Sequence, residues 1–336
     1  MRDEIPPSVA LHQLMVGHWV SQALCVAAEL GIADQMAAAP RDVSELAKAV
    51  SAHPGALFRL MRALASVGVF VEVAPRRFAL TPVGDCLRAT SPTSLRALAL
   101  TVNSVDWAAW AEMRHSLRTG ETAFQRVHQM GPFDYFRRNP EAGKTFDEAM
   151  TGFVTQNGAA IVEAYDFTRV LRVIDVGGGV GTLMMSIRRS NPEVTGVVFD
   201  LPDVIAVAKQ RVEHAGLAAR CDCLGGSFFE TIPADGDAYI MASIIHDWDA
   251  DHCRRILATC RAAMPSSAKL LLLEMVIPPG SDPFFGKLLD LEMLVCFGGQ
   301  ERTEEEYREL LTATGFRLTR VIPSRTPSSI LEAVPC

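Results

Sequence analysis

The chain has 336 residues, long enough for two domains or for one large α/β unit. Hydrophobic residues make up 49% and charged residues 21% of it, a composition that is typical of folded globular proteins and excludes a disordered chain. The formal charge of −7 gives no electrostatic footprint for a phosphate backbone, so nucleic acid is a poor candidate partner.

Signals for a membrane or for export are missing from the sequence. The strongest apolar run, LLLLEMVIPP from Leu270, is interrupted by Glu274 and two prolines, and falls short of the roughly 18 residues of a span. The first residues, MRDEIPPSVALHQ, carry acids and prolines where a signal peptide has a basic and then an apolar segment. Eight cysteines without a CxxC pair are typical of reduced thiols. We therefore expect a cytoplasmic protein.

The N-terminal region reads as helices followed by a hairpin. Apolar side chains at helical spacing predict one amphipathic helix over residues 9–38, with Gly31 as a plausible stop. Two shorter helices are predicted in DVSELAKAV and ALFRLMRALASVGVF, and FVEVAPRRFALT then alternates like a hairpin around Pro75. This is a winged-helix pattern, which in isolation can read DNA. The second helix carries only Arg59 and Arg62 among apolar side chains, which favours packing or dimerisation.

Residues 107–165 are predicted to be helical and are rich in bulky apolar side chains. Core packing is the ordinary explanation for any one of these side chains. Phe146, Met150 and Phe153, however, recur at i, i+4 and i+7, which places them on one helical face suited to lining a pocket for a flat aromatic ligand.

After residue 168 strands and helices alternate. The chain reads as strand LRVIDVGGG, helix LMMSIRRS, strand VTGVVFDLP, helix VIAVAKQRVEHAGL and strand DAYIMASIIHD, and the alternation continues to the final SSILEAV. Strands separated by helices of this length predict parallel βαβ units. The fold class is therefore α/β, a doubly wound and mainly parallel sheet whose ligand lies at the carboxyl ends of the strands.

The most informative local motif is the glycine turn DVGGGVGT, which follows a predicted strand and opens a helix. A dinucleotide fingerprint counted from Gly177 needs glycine at position 182, where Thr182 stands. The spacing is instead D-x-G-x-G-x-G, formed by Asp175, Gly177, Gly179 and Gly181. A further acid, Asp200, ends the next strand, where a carboxylate can accept hydrogen bonds from two ribose hydroxyls. The motif predicts a nucleotide-like cofactor.

With these motifs in view, the sequence resembles the S-adenosylmethionine-dependent O-methyltransferases shared by plant caffeate and flavonoid enzymes, animal hydroxyindole enzymes and many bacterial natural-product enzymes. The resemblance covers nearly the whole chain. It rests on the winged-helix start, the glycine motif and the segments LRTGETAF, PFDYF, FDLP, GGSFF, IIHDWD, LLLLEMVIP and GGQERTEEEY. It implies a dimerisation domain over residues 1–105, and substrate-lining helices with a Rossmann-like catalytic domain over 106–336.

The resemblance also implies a role for each matching residue. The cofactor would be S-adenosylmethionine, with S-adenosylhomocysteine as product and no metal, and the chain would form a homodimer. His246 would be the general base, Glu274 and Glu301 would flank it, and Asp247 adjoins it. The cofactor would contact Asp175, Gly177, Gly179, Asp200, Ser227 and Phe228, and a small aromatic or polyketide-like hydroxyl acceptor would contact Phe146, Met150, Phe153 and Met293.

The chemistry of methyl transfer to oxygen requires such residue types. A phenol with a pKa of about 10 is a poor nucleophile until a positioned base takes its proton, and histidine, with a reference pKa of about 6.5, is the usual base. A carboxylate beside the imidazole sets its tautomer and stabilises the imidazolium. The alternative for HDWDADH is a metal site formed by His246, Asp247, Asp249, Asp251 and His252. We favour the base, because Asp249 is better explained as the N-cap of the next helix.

Two residues depart from the family pattern, and alternatives remain. Ser227 stands where the family usually carries Asp on the adenine side, and Ala242 stands where many relatives have Lys.

Within the fold the alternative function is that of a cofactor-binding relative with hydroxylase or decarboxylase chemistry, and the presence of His246 argues against it. A nicotinamide oxidoreductase is disfavoured by Thr182, and a winged-helix ligand-sensing regulator by the pI of about 5.7.

Overall fold

A computed structural model describes residues 5–336, except for the side chains of Phe153, Gln156 and Asn157. The chain forms two compact units. The first comprises the residues up to Trp107 together with Phe136–Gly152, and the second comprises Ala108–Tyr135 together with Phe153–Cys336. In the described part of the chain, no helix has both the length and the apolar character that crossing a membrane requires.

The first unit contains short helices and a small antiparallel sheet, and a π-helical turn, Val102–Asp106, follows the helix Arg96–Thr101. Its elements are α1 (Pro7–Met15), α2 (Gly17–Glu29), α3 (Ile32–Gln35), β1 (Arg41–Asp42), α4 (Val43–Ala49), α5 (Pro54–Ser66), β2 (Phe70–Ala74), β3 (Arg77–Leu80), α6 (Pro82–Asp85) and α7 (Arg96–Thr101).

The prediction of one helix over residues 9–38 is wrong at Val16, whose backbone leaves helical geometry at φ −88° and ψ 4° and divides the segment into two helices. The predicted stop at Gly31 is confirmed, because its φ of +62° is the left-handed conformation that ends helices. The helix pair and the hairpin are confirmed, with the strands in the order β1-β3-β2. Met61 of α5 and Phe78 of β3 are fully buried in this unit's core.

The remaining elements begin at Trp107. They are α8 (Trp107–Ala111), α9 (Met113–Thr119), α10 (Ala123–His128), α11 (Pro132–Arg138), α12 (Pro140–Ala164), β4 (Arg172–Val176), α13 (Thr182–Ser190), β5 (Thr195–Asp200), α14 (Pro202–His214), β6 (Cys221–Gly225), β7 (Ala238–Ala242), α15 (Ala250–Ala263), β8 (Lys269–Glu274), β9 (Val276–Ile277), α16 (Gly286–Glu292), β10 (Arg302–Thr303), α17 (Glu304–Ala313), β11 (Phe316–Pro323) and β12 (Ser329–Pro335).

Seven of these strands form the main sheet in the order β11-β12-β8-β7-β4-β5-β6. The five strands from β8 to β6 are parallel, and β12 pairs antiparallel with both β8 and β11. The doubly wound, mainly parallel α/β fold is therefore confirmed, although the sequence pattern did not predict β6 or β11. Strands β9 and β10 form a separate parallel pair.

Alternate side chains of the parallel strands enter two apolar layers. Ile174 packs on one face of the sheet with Ile256 of α15, whereas its neighbour Val173 packs on the other face with Met184 of α13. Apolar layers cover both faces of the sheet. A ligand is therefore expected at the end of the sheet where the carboxyl termini of β4, β5, β7 and β8 lie.

Candidate active site

The glycine turn at the end of β4 packs closely against the side chain of Ile244. Gly177 has φ +70°, and a Cβ on it would lie 2.5 Å from Cδ1 of Ile244. Gly179 has φ +56°, and apart from its chain neighbours no described residue has an atom within 4 Å of its ideal Cβ position. The turn therefore packs tightly against the segment after β7 at its first glycine and leaves its middle open to a ligand.

Asp200 ends β5 beside this turn. Its Oδ2 accepts a hydrogen bond of 2.8 Å from the backbone N–H of Gly179, and its Oδ1 accepts one of 2.6 Å from Leu201. Burial raises the pKa of the Asp200 carboxyl, although these two bonds oppose the rise. Each oxygen keeps lone pairs for further donors, as ribose recognition requires.

Asp175 lies beneath the glycine turn and is 1% exposed. Burial, reinforced by the charge of Asp200, raises the pKa of Asp175 to about 7, while the backbone N–H of Met184 donates to its carboxylate. Among the described residues its Oδ2 has no hydrogen-bond partner. A Cβ on Gly178 would lie 2.7 Å from the carboxyl carbon, which explains the middle glycine of GGG. Asp175 thus supports the turn and the start of α13, and its contact with a cofactor stays a prediction.

Ser227 and Phe228 follow β6 and reach the same edge. The Ser227 Oγ accepts a hydrogen bond of 3.3 Å from the backbone N–H of Phe229. The Phe228 ring lies 3.6 Å from the ideal Cβ position of Gly177 and meets the Trp248 ring edge-on, with centroids 6.1 Å apart. An open glycine turn, a carboxylate with spare acceptor capacity and an aromatic ring fit a cofactor that carries a ribose and an aromatic base.

His246 lies in a single 3₁₀ turn, Ile245–Asp247, that follows β7. Its Nδ1 is 2.6 Å from Oε1 of Glu301, a charge-assisted hydrogen bond, and 3.7 Å from Oε2 of Glu274. Its Nε2 is 3.4 Å from Oδ1 of Asp247. The predicted base and the three predicted acids are therefore brought together.

The two glutamates are held by backbone groups of different segments. Glu274 ends β8, and its Oε1 accepts hydrogen bonds from the backbone N–H groups of Ile244 at 3.3 Å and Ile245 at 2.9 Å. The backbone N–H of Glu301 donates to Oδ1 of Asp290 at 2.8 Å. Both glutamate side chains are fully buried, so their orientation towards the imidazole is set by the fold.

Two opposing effects act on the imidazole. Burial lowers the pKa of His246, but the charges of Glu274 and Asp247 and the hydrogen bond with Glu301 outweigh burial and raise the pKa to about 10. Burial raises the pKa of Asp247 to about 6 and also raises the pKa of Glu274. The cluster therefore stabilises a proton on the imidazole, which makes the neutral imidazole a stronger base than that of a free histidine.

His246, Glu274 and Glu301 could also be considered as metal ligands, since their ligand atoms lie within 4.8 Å of one another. Two ligand atoms at about 2.1 Å from a tetrahedral ion lie roughly 3.4 Å apart. The 2.6 Å between Nδ1 and Oε1 is instead a hydrogen-bond length. The other candidate metal site was the HDWDADH segment. There Asp249 is the N-cap of α15 as predicted, and its side chain accepts hydrogen bonds from the backbone N–H groups of Asp251 and His252.

The predicted acceptor-binding residues are divided between the two units. Phe146, in the first unit, stacks on Phe136 with centroids 4.3 Å apart, and Met150 lies one turn further along α12. Met293, in the second unit, begins the π-helical turn Met293–Phe297 and is 3% exposed. The side chain of Phe153 lies outside the described residues. Their shared role in binding an acceptor stays a prediction.

Sequence reasoning missed two residues beside the His246 turn. A Cβ on Gly299 would overlap the backbone carbonyl of His246, so only glycine fits there. Arg302 is 3% exposed and donates to the carbonyl of Ile245 at 3.2 Å. The consecutive glycines of GGQER were the signal that could have revealed the close backbone approach.

Comparisons with known proteins match both halves of the chain. A family profile described as the O-methyltransferase domain matches residues 110–317, and a profile described as the O-methyltransferase dimerisation domain matches residues 12–90. The sequence is 46% identical over 331 residues to the phenazine O-methyltransferase PhzM of Lysobacter antibioticus, an alignment that covers 98% of this chain and 97% of that protein.

Solved structures show the same similarity. The crystal structure of LaPhzM superposes with a TM-score of 0.95 at 45% identity, covering 99% of this chain and 100% of that one. The O-methyltransferase NcsB1 from neocarzinostatin biosynthesis, solved with S-adenosylmethionine and 2-hydroxy-5-methyl naphthoic acid, superposes with a TM-score of 0.82 at 31% identity, covering 94% of this chain and 96% of that one.

Proposed function

Since the chain belongs to the O-methyltransferase family, we propose that it moves the methyl group of S-adenosylmethionine to a hydroxyl of a small aromatic or polyketide-like acceptor, with His246 as the general base. The observation that carries the base assignment is the 2.6 Å bond between Nδ1 of His246 and Oε1 of Glu301.

The cofactor site comprises the glycine turn, Asp200 and the segment after β6. Asp200 would accept hydrogen bonds from the ribose, and Phe228 would contact the adenine side together with Ser227. When bound, S-adenosylmethionine supplies an electrophilic methyl group on a sulfonium. The open backbone at Gly179 supports this assignment, because a side chain there would occupy the ligand's space.

The basic atom of His246 would be Nε2, because Nδ1 is hydrogen-bonded to Glu301. A neutral imidazole that donates Nδ1–H to Glu301 has its lone pair on Nε2, which then accepts the proton of the acceptor hydroxyl. Glu301 and Glu274 stabilise the imidazolium that forms, and neither needs to take the proton itself. Glu274 also holds the turn that carries the imidazole, through its bonds to Ile244 and Ile245.

The acceptor is proposed to be flat and aromatic. Its binding residues would be Phe146, Met150 and Phe153 of α12 and Met293 of the π-helical turn, which offer apolar surface and no charge. NcsB1 was solved with a hydroxynaphthoic acid and PhzM is named for phenazine, which supports fused aromatic hydroxyl compounds as first acceptors to test. The proposed assembly is a homodimer formed through the region that matches the dimerisation profile.

Methyl transfer to a panel of hydroxylated naphthoates and phenazines, followed by mass spectrometry, tests the proposal. The wild-type protein should form the O-methyl product and S-adenosylhomocysteine in equal amounts. His246→Gln should lower kcat by about 10²- to 10⁴-fold, because removal of a general base typically costs this much.

The matched control is His252→Gln, which changes a neighbouring histidine that pairs with Asp249 on α15. It should leave turnover near the wild-type value, and both variants should bind S-adenosylhomocysteine as the wild type does. Near wild-type turnover of His246→Gln would contradict the base assignment, and product formation without S-adenosylhomocysteine would contradict methyl transfer.

A further inference from the structure

The 3₁₀ turn that carries His246 is held from two sides by groups of opposite charge. On one side, Glu274 accepts from the backbone N–H groups of Ile244 and Ile245. On the other side, the guanidinium of Arg302 donates from Nη1 to the carbonyl of Ile245 at 3.2 Å and from Nη2 to the carbonyl of Trp248 at 3.4 Å. These two carbonyls lie immediately before and just after the His246–Asp247 pair.

Cys253 completes this support from α15. Its Sγ lies 3.2 Å from each of the same two carbonyls, of Ile245 and Trp248, and accepts from Nη2 of Arg302 at 3.5 Å. Nη1 of Arg302 also donates to the carbonyl of Gln300 at 3.1 Å, which ties the turn to the segment that carries Glu301. The guanidinium of Arg302 therefore links the turn that carries His246 to the segment that carries Glu301.

Arg302 is 3% exposed, and no ion pair of its guanidinium is found among the residues that the structure describes. A buried cation without a paired carboxylate is costly unless its hydrogen bonds are satisfied. Here backbone carbonyls and a sulfur satisfy them, and the ring of Tyr307 lies 5.9 Å from the guanidinium carbon. Such an arrangement uses the geometry of the guanidinium fork, which the single ammonium of lysine cannot reproduce.

We propose that Arg302 is a positioning residue for methyl transfer, which sets the direction of the His246 imidazole by fixing the carbonyls on both sides of it. The inference rests on the proposed function of His246 as the base. Arg302 does not touch the reacting atoms. Its removal should therefore slow the proton transfer while the cofactor and the acceptor still bind.

The test compares Arg302→Lys with Arg188→Lys. Arg188 is also buried and also donates to backbone carbonyls, those of Asn191, Pro192 and Val194, but it lies at the end of α13, away from the His246 turn. Arg302→Lys should lower kcat by up to about 10²-fold, the cost of a small misplacement of a catalytic group, with little change in KM. Arg188→Lys should lower the thermal midpoint without a comparable fall in kcat.

A double-mutant cycle separates this inference from the proposed function. In the His246→Gln background the additional loss from Arg302→Lys should largely vanish, because the residue acts through His246. The inference is overturned if the two losses simply add, or if Arg302→Lys changes kcat no more than Arg188→Lys does. Near wild-type turnover of His246→Gln alone would instead overturn the proposed base. Titration of each variant with S-adenosylhomocysteine identifies misfolded protein, and a fall in kcat explained by a smaller folded fraction would count against the inference.

Discussion

Glu301 and His246 are separated by 55 positions in the sequence, yet Oε1 of one lies 2.6 Å from Nδ1 of the other. Both side chains are almost entirely enclosed, and Glu301 is in turn positioned by Asp290, which accepts its backbone N–H. Although burial opposes it, the hydrogen bond to Glu301, together with the charges of Glu274 and Asp247, raises the pKa of His246 above that of a free histidine.

The first prediction follows from the raised pKa of His246. Only the neutral imidazole accepts a proton, so kcat/KM for one acceptor should rise with pH through the pKa of about 10. Glu301→Gln removes one carboxylate that stabilises the imidazolium, so the pKa of His246 should fall by roughly one unit or more and the rise should move to lower pH. A pH profile of kcat/KM for both proteins is the measurement. An unshifted rise would mean that His246 is not the group that titrates.

The second prediction concerns Ser227. A carboxylate binds an N–H donor more strongly than a hydroxyl does, and the difference of about 1 to 1.5 kcal/mol corresponds to about tenfold in Kd. Ser227→Asp should therefore bind S-adenosylhomocysteine up to about tenfold more tightly, as measured by calorimetric titration. Ser227→Ala is the control for the loss of the Oγ bond to Phe229. Equal affinity of Ser227→Asp and the wild type would place the adenine away from this segment.

The third prediction concerns Asp200. Removing its carboxylate leaves the backbone N–H of Gly179, and the ribose hydroxyls of the proposed site, without an acceptor, so Asp200→Ala should weaken S-adenosylhomocysteine binding by more than about tenfold. Asp200→Asn keeps one acceptor oxygen and should lose less. The same titration measures both variants, and wild-type affinity of Asp200→Ala would exclude the carboxyl end of β5 from the cofactor site.

The fourth prediction concerns the assembly. Helix α1 has no buried residue, and Leu11 and Leu14 are exposed on it to 60% and 79%. Because apolar patches of this kind usually mark an interface, light scattering should give twice 36.5 kDa. The double variant Leu11→Glu/Leu14→Glu should shift the protein towards monomer. Leu224→Glu, a change at an exposed leucine of β6, should not. A concentration-independent monomer of the wild type would contradict the proposed dimer.

The fifth prediction concerns stability. Burial favours a raised pKa for Glu332 on β12, but hydrogen bonds from Arg320, Tyr165 and Lys269 hold its pKa at about 2. A lowered pKa in the folded state adds stability above the unfolded value of about 4.3, and this stability is lost as the pH falls towards about 2.

Glu332→Gln should therefore lower the free energy of unfolding by roughly 1 to 3 kcal/mol at pH 7. Thermal unfolding at a series of pH values should show the difference from the wild type shrinking below about pH 4.3. The exposed Glu309 supplies the control variant Glu309→Gln, for which no such difference is expected. A difference that stays constant down to pH 3 would mean that the charge of Glu332 does not stabilise the fold.

Local signals predicted the parts of the site that lie within one βα unit. The strand before the glycine turn, the acid at the end of β5 and the N-cap at Asp249 each depend on a few neighbouring residues, and each is found in the structure. The parallel direction of the strands follows from the same alternation, but their order in the sheet does not. These features are predictable because backbone conformation and hydrogen bonding over a few residues determine them.

Local sequence signals of this kind do not predict contacts between segments that are distant in the sequence. Resemblance to known enzymes suggested the pairing of His246 with Glu274 and Glu301, since no spacing rule joins three elements. Arg302 and Gly299 lie against backbone carbonyls of another segment; the glycine pair of GGQER hinted at a close approach, but nothing local in the sequence identified its partner. The break at Val16 was missed for a related reason, because the apolar pattern continues through it.

The contact between Gly177 and Ile244 limits how this protein can be altered. Gly177 of the glycine turn and the side chain of Ile244, two positions before His246, leave no room between them for an additional methyl group. A larger side chain at 177 would be strained by the φ of +70° and would require the Ile244 side chain to move, so it would perturb the proposed cofactor turn and the segment before the proposed base at the same time. Attempts to broaden the range of acceptors by directed evolution should therefore leave this pair unchanged and diversify α12 and the π-helical turn, whose residues do not join the two functions.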